Sequence, residues 1–283
     1  MLFRSYLRDP LGLDTPQPQL SWIPEAFNSR ARGLSQSAYQ VLVASTRKQL
    51  DADQGDLWDT GKVGSAQTAQ IAYAGKPLAS RQQCFWKVRI WDQDGRASEF
   101  SAPARWEMGL LSPGDWQARW IGRTSDIEER PAPMFRRQFK VAGKISRARV
   151  YVCGQGYYEL RLNGQKVGDH LLDPGFTRYD KRGLYVTYDV TPCLTEGLNA
   201  VGVLLGHGWF NVQTRAVWDF HKAPWRAAPK FLLMMYIEYA DGRAAVISSD
   251  GTWKCATGPI VFNSIYGGDT YDARLEKPGW ALP

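Results

Sequence analysis

The sequence predicts an all-β chain of two domains, and three observations carry that prediction. A length of 283 residues exceeds one small module and gives each of two domains enough chain to bury a core. The 12 Trp, 13 Tyr and 11 Phe stand among 27 Gly and 16 Pro, a mixture that suits many short strands closed by turns. Apolar and polar residues alternate in run after run, whereas the one helical candidate is a short piece around residues 190–194.

The first domain is expected over residues 1–110. AYQVLVAS at 38–45 alternates and is rich in β-formers, DLWDTGKV at 56–63 turns at Thr60-Gly61, and AQIAY at 69–73 is a further short apolar run. CFWKVRIWDQDG places Trp86, Val88 and Ile90 on one face of a strand and Phe85, Lys87, Arg89 and Trp91 on the other, closed by Asp94-Gly95. The stems of Lys87 and Arg89 then lie across its outer side. SEFSAPARWEMG supplies a last strand.

Residues 110–122, LLSPGDWQARWIG, read as a linker into a second domain over 111–283, since Pro113 and Gly114 break pairing while Trp116 and Trp120 offer anchors. Strand candidates follow in FRRQFKV, ARVYVCG, YYELRLNG, GLYVTYDV, NAVGVLLG, FLLMMYIEYADG, AAVISSDG and WKCATG, with reversals at Asn163-Gly164 and Asp241-Gly242. About eight strands with long connections suggest a β-jelly roll. The loop over 207–230 is long for a packed domain, and such loops are functional or held by aromatic side chains.

Charge and cysteine usage exclude several function classes. The net charge of +7 is spread along the chain; RAR at 30–32, RR at 136–137 and KR at 181–182 are too short for a nucleic-acid stripe. Cys84, Cys153, Cys193 and Cys255 form no CxxC pair, so neither zinc nor a dithiol centre is signalled, and most are expected as buried apolar fillers. No stretch is apolar for 18 residues, and MLFRSYLRDPLG lacks the core of a secretory signal. No membrane partner is expected, and the localisation is cytoplasmic as the sequence stands, or periplasmic or secreted if a leader precedes it.

Long ordered phrases add a resemblance. YLRDPLGLDTPQPQLSW, RGLSQSAYQVLVAS, DLWDTGKV, CFWKVRIWDQDG and WEMGLL resemble the fibronectin type III-like β-sandwich that opens many bacterial α-L-rhamnosidases of glycoside hydrolase family 78. GYYELRLNGQKVGDHLLDPGFTRYDKR, LYVTYDVT, LLGHGWF and GGDTYDARLEKPGW resemble the β-jelly-roll domain next in those proteins. The resemblance implies that catalysis sits in a downstream (α/α)6 helical barrel, which this sequence does not contain. It also implies a fragment or truncated reading frame whose jelly roll stops at PGWALP, short of its final strand. The expected partners are that barrel and a rhamnose-containing glycan or glycoside. The competing expectations are a free-standing carbohydrate-binding module and a structural or adhesive sandwich pair.

Candidate chemistry is sparse. An inverting glycosidase needs two carboxyls about 6.5 to 9.5 Å apart, one with a raised pKa. The best local pair, Asp269 and Asp272, is followed by Arg274, which lowers a neighbouring carboxyl and favours an ion-paired loop. No catalytic residue is therefore assigned; the resemblance implies that Asp269, Tyr271, Asp272 and Arg274 lie where the jelly roll meets the barrel. His170, His207 and His221 lack metal-ligand spacing.

Sugar binding suits the aromatic loop better, because apolar C–H faces stack on rings while hydroxyls take hydrogen bonds from polar side chains. The candidates are His207, Trp209, Asn211, Arg215, Trp218, Asp219 and Trp225, with the alternative that the tryptophans anchor the loop or pack on the barrel. Some jelly rolls similar to this one, in carbohydrate-binding module family 67, bind L-rhamnose with calcium. That resemblance makes Asp180 in FTRYDKR a candidate calcium ligand and sugar contact, although Lys181 puts a positive charge where a neutral oxygen would help.

Overall fold

A computed structural model describes residues 2–4, 7–26, 32–215 and 218–283; most of RAR at 30–32, and two residues of the aromatic loop, 216 and 217, lie outside the described residues. The chain forms two compact units, Met1–Trp116 and Gln117–Pro283. Residues 111–116, expected as linker, pack with the first unit. Leu111 rests on its core, and Asp115 accepts hydrogen bonds from Ser80 Oγ at 2.5 Å and Ser112 N at 2.9 Å.

The first unit contains β1 (Leu2–Arg4), β2 (Gln19–Trp22), β3 (Gln36–Ala44), β4 (Trp58–Asp59), β5 (Val63–Gly64), β6 (Ile71–Ala72), β7 (Gln83–Asp92) and β8 (Ala104–Glu107). One sheet runs β1-β2-β6 and the other β4-β3-β7-β8, with β5 also on β3. Antiparallel register sets Val43 opposite Trp86 and Val41 opposite Val88. Those side chains, with Tyr39 and Trp106, meet Leu20, Trp22 and Ile71 of the facing sheet, the inward alternation of a two-sheet sandwich.

The outer face of β3 is buried as well. Leu42 and Ala44 are covered by Leu50 of α1 (Arg47–Asp51), a helix absent from the expectations and started by Thr46, whose hydroxyl accepts from Gln49 N at 3.2 Å. Lys87 is only 6% exposed: it pairs with Asp53 and lies 4.7 Å over the Phe100 ring, while Arg89 stacks on Trp91 and Phe100 at 5.2 and 4.8 Å. The expected strand over 98–109 is confined to β8. Ser98 and Ser101 occupy the edge of β7 with their hydroxyls as well as their backbone, accepting from Ile90 N and Val88 N.

The second unit is a sandwich of β9 (Pro133–Val141), β10 (Ile145–Gln155), β11 (Tyr158–Leu162), β12 (Gln165–Lys166), β13 (Val186–Asp189), β14 (Gly197–Leu205), β15 (Lys230–Tyr239), β16 (Ala244–Ser248) and β17 (Lys254–Thr257). Sheets run β13-β10-β15-β16 and β12-β11-β14-β9-β17. Successive strands change sheet at most connections, the winding of a jelly roll. Val150 and Val152, Leu233 and Met235, Val201 and Val203, and Phe135 close the core between the sheets.

Asn163 and Gly164 both have positive φ, 50° and 84°, the backbone that a two-residue type I′ hairpin between β11 and β12 requires. The expected helix near 190–194 is a 3-10 turn, Thr191–Cys193. A hairpin of β18 (Ile260–Ser264) and β19 (Gly268–Tyr271) follows the sandwich. Cys84 and Cys153 are buried fillers, but Cys193 is half-buried and Cys255 exposed, because β17 lies at the edge of its sheet.

Candidate functional site

The outer face of the five-stranded sheet carries Met134 and Arg136 from β9, Gly202 and Leu204 from β14, and Glu159 and Arg161 from β11, as alternation with the inward residues demands. Part of this face is covered by residues 280–282. A Cβ on Gly202 would stand 2.7 Å from the Trp280 ring, and Arg136 Nη2 donates to Leu282 O at 2.8 Å. Beside that cover a cavity of about 710 Å³ opens, bounded by Tyr157, Glu159, the 170–172 turn, Trp209 and the β18–β19 hairpin.

The aromatic loop forms one wall of the cavity and is held by its own base. His207 is 3% exposed; its Nε2 lies 3.2 Å from Arg130 O and its Nδ1 3.0 Å from Asn211 Nδ2. Asn211 also donates to Ile127 O at 2.9 Å and accepts from Arg226 Nε at 2.7 Å, and Arg226 pairs with Glu128. Burial pushes the His207 pKa down, consistent with a neutral ring that accepts at Nδ1 and donates at Nε2. Asn263 of β18 accepts from His207 N at 2.6 Å, and Ser264 meets Thr214 at 2.7 Å, so the hairpin and the loop are tied together. Gly208 has φ 52°, and a Cβ there would stand 2.9 Å from Tyr157 N; only glycine fits this crossing.

The predicted sugar contacts therefore divide. His207 and Asn211 have their polar atoms spent inside the fold and cannot serve a ligand. Trp225 packs with Phe176, Tyr179 and Phe220, and Phe176 lies about 6 Å from Trp209, Trp225 and Phe220 alike, so rings from the 176–179 segment anchor the loop. Trp218 is 75% exposed and Arg215 is exposed; Asp219 takes a left-handed backbone and lies 3.3 Å from Lys222. Of the set, only Trp209 lines the cavity.

Asp180 does not suit calcium. Both its oxygens accept from Arg178, at 3.0 and 2.7 Å, and that guanidinium holds its pKa down. A calcium site needs about six to eight oxygens, and among the described residues no cluster of three or more His, Cys, Asp or Glu could hold a metal ion.

The four residues expected at a barrel interface also separate. Asp272 caps a 3-10 turn and takes a bidentate pair from Arg274 at 2.8 and 2.6 Å, which lowers its pKa, while Tyr271 donates to Glu276 at 2.6 Å. Asp269 is exposed, lines the cavity and makes no side-chain hydrogen bond or ion pair among the described residues.

The cavity's other groups were not singled out in sequence. Glu159 is paired to Arg161 at 2.6 Å, Lys166 Nζ donates to His170 O at 2.8 Å, and His170 Nδ1 lies 2.9 Å from Asp173, whose carboxylate also accepts from Tyr188 at 2.5 Å. Leu171 and Leu172 stand 79% and 66% exposed on the rim, Leu172 with φ 59°. Tyr157, hydrogen-bonded to Trp209, has its hydroxyl pKa raised by burial. The only sequence signal for these groups was the outward Glu159 and Arg161 in YYELRLNG.

Comparison with known proteins bears on this arrangement. The family model described as the α-L-rhamnosidase N-terminal domain matches residues 143–283, and one described as a Rha78A-like, N-terminal immunoglobulin domain matches residues 2–112. A curated α-L-rhamnosidase of Formosa agariphila is 39% identical over 296 residues, covering 96% of this chain and 31% of its own length. The solved α-L-rhamnosidase of Dictyoglumus thermophilum superposes with a TM-score of 0.90 at 38% identity, covering 100% of this chain and 32% of that one. That of Streptomyces avermitilis, solved in complex with L-rhamnose, gives 0.90 at 27% identity, covering 100% and 43%. The chain spans about a third of the length of the Formosa and Alteromonas relatives it matches.

Proposed function

This chain belongs to the N-terminal region of the α-L-rhamnosidases of glycoside hydrolase family 78, and from that premise we propose that it serves as the non-catalytic front part of such an enzyme. In that role the two sandwiches support a separate catalytic domain, an (α/α)6 barrel by family resemblance, that releases terminal α-L-rhamnose from glycosides. The observation that carries the proposal is the order of the two matches, an N-terminal immunoglobulin domain and then the rhamnosidase N-terminal domain, over about a third of relatives that bear the enzyme's name.

The test is a chimaera in which this chain replaces the matching N-terminal third of the Formosa agariphila relative. It is expected to be soluble and to hydrolyse an aryl α-L-rhamnoside, whereas the relative with that third deleted is expected to lose soluble expression or activity. A deleted form as active and stable as the whole would overturn the supporting role.

A further inference from the structure

A buried network at the foot of the aromatic loop fixes the protonation state of one histidine. Residues 122–131 form a largely exposed strap, tethered at its ends by backbone bonds between Ile121 and Phe231 and from Ala132 N to Ile260 O at 3.0 Å. Between those ends, strap carbonyls meet loop side chains. Arg130 O faces His207 Nε2, Ile127 O takes a bond from Asn211 Nδ2, and Ile127 O and Glu129 O accept from Gln213 Nε2 at 3.1 and 2.8 Å. A carbonyl can only accept, so His207 carries a proton on Nε2.

Asn211 sets the state of the other ring nitrogen. Its Oδ1 accepts from Arg226 Nε at 2.7 Å, and a guanidinium can only donate, so the amide N–H groups point at Ile127 O and His207 Nδ1. Nδ1 is therefore an acceptor, and the ring holds one proton. A second proton there would stand N–H against N–H across 3.0 Å, where His207 is 3% exposed and Asn211 fully buried, with little access for water to accept it. The charged groups acting on the ring are Arg226 from the loop, which opposes a second positive charge, and the strap's Glu128, which favours it but is paired with Arg226 at 2.8 Å; β18 contributes the neutral Asn263.

We propose that His207 is an acid-sensitive latch: uptake of a proton at Nδ1, which the closed network cannot accommodate, releases the strap over 122–131 from the aromatic loop while the sandwich stays folded. The open form accepts the proton freely, and binding to one state draws the population toward it. Burial holds the closed ring below the ordinary histidine range, so the latch is shut at neutral pH and opens in mild acid. The strap is the part that moves, because Trp209 and Trp225 pack edge-to-face with Phe176 and keep the loop in place. No residue of 122–131 belongs to the core between the sheets, so release leaves that core closed. The latch makes no use of the supporting role proposed above, and failure of one leaves the other standing.

The experiment is ¹⁵N NMR of the full chain from pH 8 to pH 5, following the ring nitrogens of His207 and the backbone amides of residues 126–130. At pH 8 the expected spectrum is that of a ring protonated at Nε2 alone, with an ordered strap. As Nδ1 takes up its proton, the heteronuclear NOE of 126–130 is expected to fall to the values of a mobile chain over the same pH range, with the amides of 230–239 unmoved.

His207→Gln is expected to leave the strap in one state across the whole range, and His170→Gln, at the exposed rim, to respond as wild type does. Protonation of His207 without any change in 126–130 would overturn the latch. So would a wild-type loss of strap order in His207→Gln, or a concerted change in 230–239, which would mean that the whole unit unfolds. Loss of the response in His170→Gln would assign it to another histidine and overturn the inference equally.

Discussion

The two sandwiches treat the outer faces of their larger sheets in opposite ways. In the first unit, Leu42 and Ala44 on β3 are sealed by Leu50, Phe85 and Phe100, and Lys87 and Arg89 lie over aromatic rings. In the second, Gly202 and its neighbours admit residues 280–282 over part of the face and leave the rest as a cavity rimmed by exposed leucines. A face filled by its own side chains has stability but no vacancy; a face left open has exposed apolar groups that only a ligand or partner would cover. The open face with exposed leucines therefore belongs to the second unit.

Leucines on the two faces put this contrast under the most direct strain. Leu50→Ala empties a fully buried site and is expected to cost about 2–4 kcal/mol in denaturant unfolding of the first unit. Leu172→Ala should stay within about 0.5 kcal/mol of wild type, being exposed. A comparable loss at both positions would erase the distinction.

Next in size, Gly208→Ala forces a Cβ against Tyr157 at a positive φ and is expected to cost about 1–3 kcal/mol, with loss of the cavity wall. His207→Gln breaks the buried network at the loop base and should cost about 1–3 kcal/mol at neutral pH.

His207 also gives the second unit a pH dependence. Its folded pKa lies below its unfolded value of 6.5, so above 6.5 both states are neutral and its contribution to stability is full. As pH falls from 6.5 toward the folded pKa, the unfolded chain takes up the proton first and stability drops. Melting curves between pH 7.5 and 5 should show this slope in the second unit and lose that part of it in His207→Gln. The smallest effect is expected at Asp272→Asn, where an exposed pair is screened by water and no measurable change in melting is predicted.

Much of the fold was legible because its signals are local. Alternation in ARVYVCG and NAVGVLLG fixes which side chains face inward, and Asn163-Gly164 specifies a hairpin by backbone sterics alone. The helix Arg47–Asp51 escaped because five residues with one buried leucine leave no periodicity to read.

The candidate site was legible only in part. The polar residues of GHGWFN look available in sequence, yet His207 and Asn211 are consumed by carbonyls of Ile127 and Arg130, about eighty positions earlier. Phe176, from another loop, likewise packs edge-to-face with Trp209 and Trp225. The cavity itself is assembled from residues near 157–172, 204–209 and 260–269, and no run of sequence announces a convergence that the sheet order creates.

On the proposed reading this chain supports a separate catalytic domain and does not itself cleave. The most direct test is incubation of the purified chain with p-nitrophenyl α-L-rhamnoside at pH values from 4 to 8. The account predicts no release of nitrophenol above buffer. Release that saturates with substrate and is abolished by Asp269→Asn would contradict it.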